Sequence, residues 1–258
     1  MSSIYDAALA VHMFAGFAGL IAFWIPAIAR KGQTLHVRAG RAFFYATCAV
    51  AATGTVMASL LLIDPLATKP LRHPVTPERA AEIQGTIRLT SLFLFYLVLI
   101  TFVPVYHGVR VLATRNAPHT LRTPFHTAIN VVVIGAAAAM VVLTFVTRQP
   151  VFAALSVIGF LVGPGNLRFA RRSYPTPMAW WYEHMESMLG GGVAFHTAFL
   201  VLGAGRLLGV TLEGPIAIVP WLLPTVIGVP ATAVWVNYYR RRFKELPPVS
   251  TEALATPR

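Results

Sequence analysis

Apolar runs long enough to cross a hydrocarbon layer recur along the whole of this 258-residue chain. A membrane-crossing helix needs about 20 mostly apolar residues, and seven such runs stand out, over 4–29, 42–63, 83–112, 125–147, 151–167, 179–208 and 214–239. Strands do not compete, because a membrane barrel uses alternating segments of about 10 residues, whereas these runs are longer and crowded with Ala and Leu. Composition agrees, since 56% hydrophobic and 12% charged residues exclude an ordinary soluble domain. The expected fold is all-α, a polytopic transmembrane helix bundle of about seven spans, with 1–245 as one domain and 246–258 as a short polar tail. The run 151–167 fits least well, since Gly163, Pro164 and Gly165 interrupt it. Six spans plus a re-entrant or broken segment therefore stay open at that point.

The net charge of +12 is distributed as a membrane protein requires. Sorting the connections by side puts fifteen Lys and Arg on one face and six on the other. The richer face carries Lys31, Arg38, Arg110, Arg122, Arg168, Arg171 and the run Arg240, Arg241, Arg242. Positive residues collect on the cytoplasmic side, so the amino terminus is expected outside and the carboxy terminus inside. The same rule accounts for the basic excess without a nucleic-acid partner; the partner it implies is the lipid bilayer. The start of the chain carries Asp6 and no basic residue, and the first run is long and followed by positive charges, so it reads as a retained helix and not a cleaved leader. Cys48, the single cysteine, excludes an internal disulfide and a Cys-based metal cluster. In the long outer connection, Thr76-Pro77-Glu78 predicts a helix start, with a Thr cap and Pro in the first turn.

Polar groups inside membrane spans are costly and point to function. His12 in the first run and His196 in the sixth fall at similar depth in the outer half by residue count. Gly16 follows His12 by four residues and Gly192 precedes His196 by four, so each glycine shares a helical face with its histidine. Two imidazoles on facing helices, with bare backbone beside them, suit a haem b held by two neutral nitrogens, and His12 and His196 are the expected ligands of its iron. Small residues at that spacing also let membrane helices pack closely without any cofactor. His36, His107, His126 and His184 lie toward the inner boundary and supply a second candidate pair, and His107, His126 and His184 with Glu183 a mixed metal site. Glu183 and Glu186 are expected at headgroup level. Arg88 is a candidate partner for a haem propionate, Asp6 or Glu82. The zinc-protease, nucleophile-elbow and phosphate-loop motifs are absent from the sequence.

Several short motifs, His12-x-x-x-Gly16, Lys31-Gly32-x-x-x-His36-x-Arg38-x-Gly40-Arg41, His184-Met185-x-x-Met188-Leu189 and Thr197-Ala198-Phe199-Leu200, resemble a family of bacterial multi-span membrane proteins catalogued as a domain of unknown function. The resemblance implies a polytopic inner-membrane protein and no established reaction. The two-tier histidine layout is more loosely similar to membrane b-type cytochromes. Three functions stay open: a haem b redox protein passing electrons between a quinol or membrane redox partner and an acceptor; a transporter or channel, with Pro164, Pro220, Pro224 and Pro230 breaking helices; and a non-catalytic assembly factor.

Overall fold

The structure, a computed structural model, describes residues 1–171, 176–204, 209, 216 and 218–245. The expected tail, 246–258, lies outside them. The helices are α1 (Ser2–Ile28), α2 (Thr34–Ile63), a four-residue α3 (Pro65–Thr68), α4 (Pro77–Ala113), α5 (Pro124–Thr147), α6 (Pro150–Arg171), α7 (Ala179–Ala198) and α8 (Val219–Arg242). A 3₁₀ turn, Pro118–Leu121, precedes α5, and α7 continues as a π-helical turn, Phe199–Ala204. Seven of these helices are long and apolar enough to span a membrane, so the chain has the architecture of a multi-pass membrane protein.

Helix starts follow local chemistry. The Thr76 hydroxyl accepts from the Arg79 amide, as the Thr-Pro-Glu motif predicts, and α4 then runs for 37 residues, its first turns lying before the apolar stretch. Thr123 accepts from the His126 amide and Asp64 from the Ala67 amide, each satisfying a donor that a helix's first turn leaves free. The break considered in the fifth span does not occur, because α6 is continuous through Gly163-Pro164-Gly165. Proline removes one ladder bond and crowds the carbonyl four residues back, but small neighbours leave room for the adjustment. Pro224 and Pro230 likewise sit inside an unbroken α8. The broken helices on which a transport reading of the sequence rested are therefore not formed.

Helices α1, α2, α4 and α7 pack in a ring; α5 and α6 pair with each other against α4, and α8 lies on α7. Lipid is as apolar as leucine, so close approach holds such helices together more than hydrophobic burial does. Inside the ring Phe43, Val105, Phe195 and Ala22 form one core, and Phe93, Tyr96, Ile100, Ala137, Met140 and Phe152 form a second among α4, α5 and α6. The Tyr96 hydroxyl enters α6: it donates to the Leu155 carbonyl at 2.8 Å and accepts from the Gly159 amide at 3.0 Å. Those two groups are four residues apart, the spacing of one helical hydrogen bond, so Tyr96 bonds both members of one rung of α6.

Basic and aromatic residues share one end of the bundle. Lys31 lies over Trp235, Arg115 over Trp180 and Arg240 over Tyr182, at 5.7, 5.2 and 4.9 Å from the ring centres. Glu245 accepts from the Met178 amide and the Thr176 hydroxyl, which fastens the end of α8 to the start of α7. Aromatic rings and basic side chains are at home at the membrane boundary, and this face is the basic end below.

Candidate functional site

At the basic end α4, α5 and α7 bring three ionisable side chains into a line. The ring of His107 on α4 lies between His126 on α5 and Glu183 on α7, with Nδ1 2.9 Å from His126 Nε2 and Nε2 2.9 Å from Glu183 Oε1. Both histidines are wholly buried, and the Glu183 side chain is 22% exposed. An ionised carboxylate only accepts, so His107 donates through Nε2–H. With His107 neutral, its Nδ1 then accepts from His126 Nε2–H, and His126 Nδ1 is left as a buried acceptor with no hydrogen-bond partner among the described residues. A buried polar atom without a partner is unusual and asks for a role.

The polar chain continues deeper. Asn130, one turn along α5, donates to the His126 carbonyl at 2.7 Å, and Asn166 on α6 donates to Asn130 Oδ1 at 2.9 Å. Close packing fixes these positions, since a methyl group on Gly163 would meet the Asn130 carbonyl at 2.9 Å and one on Gly108 would meet Ser187 at 2.9 Å. Beyond the asparagines the apolar layer around Tyr96 closes the route. Arg110 and Glu186 are the charged neighbours of the line, Arg110 acting on His126 and Glu186 on Glu183.

The other expected site residues are placed differently. His12 Nδ1 bonds the Thr53 hydroxyl of α2 at 3.0 Å. His196 donates from Nδ1 to the Gly192 carbonyl at 2.7 Å, and its Nε2 accepts from Trp24 Nε1–H at 3.1 Å. Trp24 lies twelve residues beyond His12 on α1, about 18 Å at 1.5 Å per residue. The two rings expected to share an iron are therefore apart, and both nitrogens of His196 are in use. A side chain on Gly19 would meet Phe195 and one on Gly192 would meet Phe23, so this turn of α7 meets α1 deeper than His12; the lean of side chains toward the amino terminus of their own helix widens the separation. The cleared space is missing too: Phe23 fills the place a side chain at Gly192 would take, while Gly16 faces open space. Arg88 donates to the Leu62 carbonyl at 3.2 Å and satisfies the end of α2, in place of the acidic partners considered. Glu183 bonds His107 and is not a free headgroup-level acid.

His36 and His184 form a looser couple. His36 donates from Nδ1 to the Pro26 carbonyl at 3.1 Å, and His184 from Nδ1 to the Gly108 carbonyl at 2.8 Å. A carbonyl only accepts, so each ring carries its proton on Nδ1 and keeps Nε2 as an acceptor with no protein donor among the described residues. The two rings lie close enough for their charges to interact. Lys31 donates to the Pro26 and Ala27 carbonyls beside them, and burial pushes its amine below the ordinary lysine range. No three His, Cys, Asp or Glu among the described residues converge as a metal site needs. The mixed site considered from the sequence is not assembled, because His107 spends its nitrogens on opposite neighbours and His184 turns to Gly108. The asparagine pair was missed in sequence; its only signal was two amides within apolar runs.

Comparison with family profiles, with curated proteins and with solved structures finds no match for this chain.

Proposed function

We propose that this chain moves protons in the bacterial cytoplasmic membrane, as a proton-translocating protein of transporter type whose loading site is the Glu183–His107–His126 line. The observation that carries this is the line itself: a half-open carboxylate joined by two 2.9 Å hydrogen bonds to a buried, unpartnered imidazole nitrogen. Ionisable groups linked at membrane depth are the usual material of proton pathways. A proton that arrives at His126 Nδ1 lets His126 release its Nε2 proton to His107 Nδ1. His107 in turn releases its Nε2 proton to Glu183, so one proton enters at one end and one leaves at the other. Ring rotation restores the starting arrangement. Passage across the remaining bilayer requires the Tyr96 layer to open, where Tyr96 bonds both members of one rung of α6 and Pro164, which cannot donate to the ladder, lies five residues beyond Gly159.

Purified protein in vesicles, with a potassium gradient and valinomycin clamping the potential, is expected to acidify an internal dye faster than empty vesicles. Glu183→Gln and His107→Gln should slow that rate about tenfold or more, and His12→Gln should leave it unchanged. Wild-type flux equal to that of empty vesicles, or undiminished flux in Glu183→Gln, would overturn the reading.

A second reading, haem b binding with electron transfer, is favoured by His36 and His184 and not by the outer pair. Metal-bound imidazoles characteristically give their second N–H to a carbonyl, and both rings do so. His36 and His184 would hold such a haem; the haem would supply one-electron chemistry. Detergent-purified protein should then show a Soret band that shifts on reduction and is lost in both His36→Ala and His184→Ala. An absorbance spectrum without that band after haem supplementation removes this reading.

A further inference from the structure

Between α5 and α6 at the basic end lies a cleft of about 320 Å³, lined by Ile134, Pro164, Leu167, Arg168 and Arg171. Its construction follows from helix periodicity: positions 164, 167, 168 and 171 are spaced by three and four residues and so form a single stripe on α6. Ile134 supplies the opposite wall, and it packs where Gly163 has no side chain. The stripe is graded along the bilayer normal. Its deeper part is aliphatic, and its last turn carries two exposed arginines. Neither guanidinium has a hydrogen bond or ion pair among the described residues. From Pro164 to Arg171 the rise is about 10 Å, which is enough to set the charges at headgroup level and the apolar walls among the first methylenes.

We propose that this cleft binds an anionic phospholipid, its phosphate held between Arg168 and Arg171 and the start of one acyl chain against Ile134, Pro164 and Leu167. Charge complementarity selects the occupant, because a planar guanidinium fork matches phosphate oxygens, and basic pockets between membrane helices accept acidic headgroups. The apolar floor distinguishes a lipid from a free phosphate ion, which would gain nothing from Pro164 and Leu167. The site stands apart from the proton line, yet α5 and α6 also carry Asn130 and Asn166. A lipid wedged between them would therefore brace the deeper end of that line.

The test uses the intact protein in detergent, titrated with phosphatidylglycerol or with phosphatidylcholine of the same chains and read by native mass spectrometry. Phosphatidylglycerol is expected to bind about tenfold more tightly. The R168Q/R171Q variant should erase that preference, and Leu167→Trp, which fills the cleft and keeps both charges, should weaken both lipids. Arg148→Gln, at the other end of the bundle, should change nothing. Melting temperatures of each variant separate lost binding from lost folding. Equal binding of the two lipids, or an R168Q/R171Q variant that folds and keeps the preference, overturns the site. Displacement of the lipid by an equal concentration of inorganic phosphate overturns it also, since the pocket would then recognise an ion alone.

Discussion

Replacing His107 with Leu should destabilise the protein by about 3 kcal/mol, the largest single loss expected from any side chain outside the apolar core. His107 is fully buried, and each of its nitrogens has a different partner. Leucine would remove both bonds and strand the Glu183 carboxylate on one side and His126 Nε2–H on the other. The cost arises mainly from those stranded groups, since a buried donor without its acceptor loses its hydration and gains nothing. Glu183→Leu alone should cost less, because that carboxylate is partly open to solvent. The double variant should then be less damaging than the sum of the singles, as removing both members of a buried pair typically is. Reversible unfolding in mixed micelles measures the four members of this cycle. Strictly additive losses would mean that His107 and Glu183 are neighbours without coupling, and the proton line would lose its physical basis.

The three consecutive glycines of α7 should respond to a methyl group in three different ways. At Gly192 an added Cβ would run into the Phe23 ring, and at Gly191 into a methyl of Val105, while at Gly190 nothing stands within 4 Å. Gly192→Ala should therefore cost about 2 kcal/mol, within the range of overpacked cores. Gly191→Ala should cost somewhat less, because a single valine methyl is easier to displace than the Phe23 ring, which packs against Phe43 of α2 and His196 of α7. Gly190→Ala should be stabilising by up to about 1 kcal/mol, the helix propensity difference between the two residues. Phe23→Leu combined with Gly192→Ala should recover part of the loss, since the smaller side chain reopens the space. The same unfolding titration checks all four variants. A Gly192→Ala protein as stable as wild type would show that α1 does not pack on α7 through Phe23, and the closure of the four-helix ring would need another explanation.

Those glycines also mark the boundary of what could be read from one dimension. Bare backbone next to a membrane histidine is compatible with a flat cofactor and with a neighbouring side chain, and the letters at 190–192 do not distinguish them. The answer lay at Phe23, some 170 positions away, which is where the space at Gly192 went. The outer histidine pair was misplaced for a related reason. Counting residues from the ends of the runs put His12 and His196 level, yet α1 meets that turn of α7 through Gly19, Phe23 and Trp24, so the offset between the two helices and the opposite lean of their side chains keep the rings apart.

The inner cluster was legible as a set of residues and not as a circuit. His107, His126, His184, His36 and Glu183 all belong near one boundary by their position in apolar runs. Which of them touch depends on how α4, α5 and α7 are rotated about their own axes. Rotation is decided by small-residue contacts such as Gly108 against Ser187 and Gly163 against the Asn130 carbonyl.

By itself the sequence determined that this is a helical membrane protein with seven long apolar segments, because lipid forbids unsatisfied backbone and leaves a chain of this composition no other regular structure. It also determined the start of α4, through Thr76 and the proline that follows it, since that effect acts within one turn. Only the tertiary structure decided that α6 runs unbroken, that His107 bridges His126 and Glu183, that Trp24 occupies His196, and that two arginines open onto a cleft. These are contacts between segments remote in sequence, and their geometry is set by helix rotation and offset, which the period of an almost uniformly apolar helix does not encode.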